Sequence, residues 1–233
     1  MRRPRVLGFL AVTAVAVLAG CAAPPNDSSS SESVRVRHTG PTPTAMRHED
    51  GVEVWDLTGP PTVEALGIDT DGRETLSNAV GAYSSIPERP VRLLLPGGRT
   101  VEMAAGEVVF EAADSREEVT DPDTGEVVIP QGRQFWLRVD GVTEEGVDAG
   151  VDAFRDALEQ TDLPTTKADE LRERASSPAA TVDTPSTKRI GESVDLPDVQ
   201  GATASVSSTF GPRPDVLVFQ LQFSLDWDPV PIP

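Results

Sequence analysis

The chain has one cysteine and two histidines, and none of the three lies beyond residue 48. From about residue 50 onward there is therefore neither imidazole nor thiol. That stretch cannot build a Ser-His-Asp or Cys-His relay from its own side chains. It also cannot assemble a zinc or copper site from the usual nitrogen and sulfur ligands. No G-x-S-x-G, S-x-x-K, P-loop or G-x-G-x-x-G pattern occurs, which removes most hydrolase, redox and nucleotide-dependent classes. Aromatic residues make up only 5%, too few to favour a sugar-binding module built on aromatic platforms. Positive charge is short as well. Twenty Lys and Arg face 38 Asp and Glu, for a net charge of −18. Such a surface repels phosphate backbones, so nucleic acid is excluded as a partner.

Carboxylates are abundant, but their patterns are weak. Asp123-Thr124-Gly125 has the three letters of an aspartic-protease core. It sits in a polar Asp121-Pro122-Asp123-Thr124-Gly125-Glu126 run that reads as a turn. The second motif needed for a paired carboxylate is missing. A glycosidase would need two converging acids, and spacing cannot choose two among 38. Two acidic loops begin like calcium loops, making Asp69, Asp71, Asp121 and Asp123 weak calcium candidates. Arg73 and Gly125 then stand where further oxygen ligands belong. The expectation is a protein without enzymatic activity, metal or cofactor.

The N-terminus carries the most specific pattern. Arg2, Arg3 and Arg5 precede an apolar segment from Val6 to Ala19, shorter than the roughly 20 residues that span a bilayer. It ends in Leu18-Ala19-Gly20-Cys21. This resembles the lipobox signal peptide of bacterial lipoproteins, over residues 1–21 only. The resemblance implies that Cys21 is acylated and becomes the mature N-terminus. Two or more acyl chains would anchor the protein to the outer, extracytoplasmic side of the cell membrane. Removal of residues 1–20 takes away three arginines and no acids, so the charge of −18 becomes −21 over the remaining 213 residues.

Residues 21–50 contain Pro-Pro, a four-serine run and Thr42-Pro43-Thr44, and they read as a flexible tether with little core-forming material. As a coil it would span about 30 Å, and extended it could reach about 100 Å. Arg35, Arg37, Arg47, His38 and His48 make it the only locally basic part, and Val34-Arg35-Val36 could pair as an edge strand.

Residues 51–233 read as a single α+β domain. Val52 to Leu57 predicts a strand, broken by Gly59-Pro60-Pro61. Asp71 with Glu74, followed by Leu76, Val80 and Tyr83, predicts a helix over about 72–85. Strands are expected at 91–95, 100–103, 107–112, 127–129 and 134–139, with Pro130-Gln131-Gly132 as a meander turn. Val147, Val151, Phe154 and Leu158 form the clearest helical stripe. Thr166 is placed to cap a second helix through Arg174. Residues 176–188 read as a long loop. Phe219, Leu221, Phe223, Leu225 and Trp227 alternate with polar residues, as do Ala202, Ala204, Val206 and Phe210, with a turn at 211–215. This predicts a C-terminal hairpin with one apolar face, docked on the sheet beneath the helix at 147–160. The expected architecture is a mostly antiparallel sheet, two or three helices packed on one face, and the hairpin joining it.

Three functions are compatible with this reading. The first is an envelope lipoprotein acting as a non-catalytic binding or accessory module, whose partner is an envelope protein or a cell-wall component. The second is a carrier of a lipid or other apolar ligand between sheet and helices. The third is a carboxylate-dependent hydrolase.

Overall fold

The computed structural model describes residues 37–38, 40–77, 80–177, 190–197, 199–213 and 216–232. The signal segment, Cys21 and most of the 176–188 loop lie outside the described residues. So do Val34, Arg35 and Val36.

The described chain is a mixed α+β fold. It runs β1 (Arg37–His38), β2 (Met46–Glu49), β3 (Val52–Asp56), α1 (Val63–Leu66), β4 (Val80–Leu94), β5 (Thr100–Ser115), β6 (Val119–Thr120), β7 (Val127–Ile129), β8 (Gly132–Glu145), α2 (Val147–Gln160), α3 (Thr166–Ala175), β9 (Ile190–Leu196), β10 (Ala202–Arg213) and β11 (Val216–Trp227). One large sheet has the order β2-β3-β4-β5-β8-β11-β10-β9, with β1 also pairing β4. All its pairings are antiparallel except β3 with β4.

The apolar alternation read from the C-terminal segment becomes the β10–β11 hairpin. It is in register from Ala202↔Trp227 to Arg213↔Val216, and β11 docks on β8. The α2 stripe covers this region. Val151, Phe154 and Leu158 are fully buried, and Gly150 lets the helix approach closely. A Cβ at Gly150 would lie 2.1 Å from the Phe219 ring, which leaves no gap between helix and sheet at that point. Arg172 of α3 pairs with Asp148 and Asp152 of α2, and Arg155 pairs with Asp169 at 2.7 Å. Thr166 is the first residue of α3 rather than its cap. Thr165 takes the cap position without a side-chain hydrogen bond.

Four further expectations differ from the structure. No helix occupies 72–85. Residues 71–77 are turn and irregular backbone, and β4 begins at Val80. The Asp71–Glu74 capping signal lost to a local turn, in which Arg73 N–H donates to Thr70 O at 2.9 Å and Asp71 adopts φ 51°. Leu76 is instead tied to β5, donating to Asp114 Oδ2 and accepting from Asp114 N–H, both at 2.8 Å. Gly81 then suits the strand: a Cβ there would come within 2.9 Å of the Phe110 carbonyl.

The helix that does form in this region is α1. It is capped by Thr62 Oγ1 accepting from Ala65 N–H at 3.0 Å and stopped by Gly67 at φ 71°. The two strands read at 100–103 and 107–112 are one strand, β5, bent at Gly106, where the register with β8 shifts. The third difference is the meander. β7 turns back onto β6, and β5 pairs with β8 directly. Finally, residues 46–49, expected in the tether, pair with β3 as β2, and Ala45 and Met46 pack against the core.

Register shifts between Ser85 and Arg89 in β4, between Ala105 and Glu107 in β5 and between Asp140 and Thr143 in β8 fall side by side across the sheet. Each extra residue bends its strand, so the sheet folds along this line. Beyond it, β5, β8 and β11 carry Val108, Phe110, Ala112, Phe135, Leu137, Val139, Phe223 and Leu225 on the buried face. Their alternate residues make the opposite face.

Candidate binding surfaces

Two buried ion pairs hold the frame and are structural. Glu53 receives Arg89 Nε at 2.7 Å and Trp55 Nε1 at 2.6 Å, with all three side chains buried. Arg133 forms a two-pronged pair with Asp114, at 2.6 and 2.9 Å, and also donates to the Glu74 carbonyl. The Arg133 guanidinium holds the Asp114 carboxyl below its ordinary pKa. In each case a buried charge meets an opposite charge, as burial demands.

The calcium candidates are committed to turns. Asp69 Oδ1 accepts from Asp71 N–H at 2.9 Å, and Asp71 faces Arg73 at 3.3 Å. Asp121 Oδ1 accepts from the N–H groups of Asp123 and Thr124 at 2.8 and 2.9 Å, which holds its pKa down. Among the described residues, no three Asp, Glu, His or Cys side chains converge as a metal site. The D-T-G triplet is the tip of the β6–β7 turn, as its polar context indicated.

That turn belongs to the first surface of interest. β6 and β7 pair Val119↔Ile129 and Thr120↔Val127 as a two-stranded ribbon, separate from the main sheet. Val119, Val127, Val128 and Ile129 are 43–56% exposed, and they are the exposed large hydrophobic residues among those described. Exposed Glu117, Glu118, Asp123 and Glu126 surround them. Apolar residues scattered singly over a surface need no explanation, but four gathered on one projecting ribbon mark an interaction site.

The second surface is the open face of the bent sheet. Register places Glu111, Trp136 and Asp226 side by side on β5, β8 and β11, with Gly81 beyond Glu111 and Thr203 beyond Asp226. The next row is Val109, Arg138, Ser224 and Ser205. An open cleft of about 420 Å³ is lined by Val109, Glu111, Trp136, Arg138, Ser224 and Asp226. Trp136 is half-buried, whereas Trp55 and Trp227 are buried.

Loss of water around Asp226 pushes its carboxyl pKa up. Glu111 and Asp226 are two strands apart, about 10 Å between backbones, which is compatible with an acid pair of the inverting type. The cleft is open, however, and no element among the described residues covers it to exclude water. Its shape suits binding better than hydrolysis.

Two further clefts, of about 360 and 340 Å³, flank the 57–66 segment and the C-terminal tail. The two cations lining the larger one, Arg133 and Arg73, are already engaged by Asp114 and Asp71.

Comparison with protein-family models, with curated proteins and with solved structures gave no match. The surfaces themselves therefore carry the functional argument. Sequence reasoning had noted the acids of the β6–β7 turn but not its apolar flank. It placed Trp136 only within the strand expected at 134–139. The signal available for Trp136 was parity: Phe135, Leu137 and Val139 alternate with Gln134, Trp136 and Arg138, which puts the tryptophan among the polar set.

Proposed function

We propose that this protein is an exported envelope lipoprotein, anchored through acylated Cys21 at the outer face of the membrane, where it acts as a non-catalytic binding or accessory module. The observation that carries the binding role is the β6–β7 ribbon, with Val119, Val127, Val128 and Ile129 exposed together. An apolar ribbon of this kind gains free energy when a partner covers it. The anchor rests on the Leu18-Ala19-Gly20-Cys21 pattern, and among the described residues no helix is long and apolar enough to cross a membrane. The partner class is an envelope protein or a cell-wall component.

A photo-crosslinking residue at Val128, introduced in the native envelope, tests the role. The expected outcome is one dominant adduct that disappears with Ile129→Asp. A diffuse set of adducts unaffected by that change counts against the ribbon. Cys21→Ser should move the protein from the membrane fraction to the soluble one, and retention in the membrane would remove the anchor.

The carrier reading is weaker, because the helix–sheet interface where a ligand would lie is filled by the close approach of Gly150 to Phe219. The hydrolase reading keeps only the Glu111–Asp226 spacing in its favour.

A further inference from the structure

We propose that the Trp136 cleft is a recognition site for an organic cation: the ammonium or guanidinium group of a small amine or of a basic side chain. The inference goes beyond the ribbon and does not depend on it.

Cross-strand pairing fixes the arrangement. Trp136 on β8 lies directly between Glu111 on β5 and Asp226 on β11. Side chains so paired project from the same face of neighbouring strands. Two carboxylates therefore flank one indole at the floor of a solvent-open cleft. An indole face attracts a cation, and a carboxylate on either side adds charge attraction without competing for the ring.

Among the described residues, no cation pairs with these acids. Neither Glu111 nor Asp226 makes a hydrogen bond or ion pair with a described side chain, in contrast to Glu53 and Asp114. Among the described residues, the one basic group lining the cleft is Arg138, which is already engaged twice, by Asp140 at 3.3 Å and by Glu107 at 3.6 Å. Of the charged residues lining the cleft, two are acids and the third, Arg138, is already engaged by Glu107 and Asp140, so the cleft favours positive charge. Anions are repelled there. A neutral sugar could stack on the indole but would draw nothing from the charge.

The test uses the full chain in low salt and follows tryptophan emission, because Trp136 is the only tryptophan of the three that is not buried. The probes are a tri-arginine amide, spermidine, choline and, as a neutral control, chitotriose. The expected result is saturable quenching by the cations, with a dissociation constant between about 0.1 and 1 mM, weakened several-fold by 0.5 M NaCl. A tenfold preference for the peptide over spermidine and choline identifies a basic side chain as the natural ligand, and the reverse order identifies a small amine.

The variants are read by NMR shift titration. Glu111→Gln and Asp226→Asn should each weaken binding two- to fivefold, and Trp136→Ala at least fivefold. Arg138→Gln should tighten it, since it removes the competing cation. All four positions are on the open face, and unchanged melting temperatures separate loss of the site from loss of the fold.

Cation binding that ignores Trp136→Ala would be mere attraction to an acidic protein and overturns the proposal. So does chitotriose binding as tightly as the peptide, or no saturable binding by any cation below 10 mM. Each of these outcomes leaves the Val128 crosslinking result untouched.

Discussion

Two tryptophans in this protein sit beside carboxylates, with opposite consequences. Trp55 gives its indole N–H to Glu53, and Arg89 closes the set from the neighbouring strand, all of it out of water. Trp136 has Glu111 and Asp226 on its two sides, and among the described residues no cation pairs with either acid. The first set is complete because burial requires it: an unpaired charge in the interior costs several kcal/mol. The second set is under no such demand, since its acids line a cleft open to solvent. An unfilled position can therefore persist there and be used by something from outside. The same residue types build a frame in one place and an open acceptor in the other, and solvent access separates them.

The comparison can be broken first at Glu53. Replacing it with Ala leaves the Arg89 guanidinium buried without its carboxylate, and should cost about 3–5 kcal/mol in chemical denaturation. A loss under 1 kcal/mol would mean that water reaches the pair and that the two tryptophan sites do not differ in kind.

Asp114→Asn probes the other buried pair, with an expected cost at pH 7 of about 1.5–3 kcal/mol. Its pH dependence sharpens the test. Arg133 depresses the folded-state pKa of Asp114. The contribution of Asp114 is therefore present above the ordinary aspartate value of about 3.9 and is lost as pH falls through the lower, folded-state value. Stability should decline less steeply below about pH 4 in the Asn variant than in the wild type. Parallel curves would detach the pair from acid stability.

Gly150→Ala forces a methyl group into the Phe219 ring and should cost about 1–3 kcal/mol. A neutral result would reveal slack between α2 and the sheet, and would restore the carrier reading.

The smallest effect belongs to the open side. Val128→Ser and Glu111→Gln should each change stability by no more than about 0.5 kcal/mol, with their consequences confined to binding. A loss above 2 kcal/mol for either would place that residue in the frame instead.

What was legible in the sequence follows from the range of the signals. The α2 stripe and the C-terminal alternation are local periodicities, and both produced the elements and the docking expected of them. The segment at 72–85 failed because Val80 and Tyr83, at helical spacing from Leu76, are strand residues whose partners lie about 30 positions away on β5, and Leu76 itself is held by Asp114 of that strand. The β6–β7 ribbon was hidden for a related reason. Its apolar residues look like core material until the pairing of β5 with β8 leaves them outside the sheet.

By itself, the sequence determined the acidity, the absence of imidazole and thiol chemistry from the body, the α+β class and the faces of its strongest elements. Each of these is composition or a periodicity of two or 3.6 residues, written within a short window. The tertiary structure decided which acids are paired and which are left open, and which tryptophan faces water. Those outcomes depend on register among β5, β8 and β11, strands separated by up to a hundred residues of chain, and a shift of one position would turn every one of those side chains to the other face.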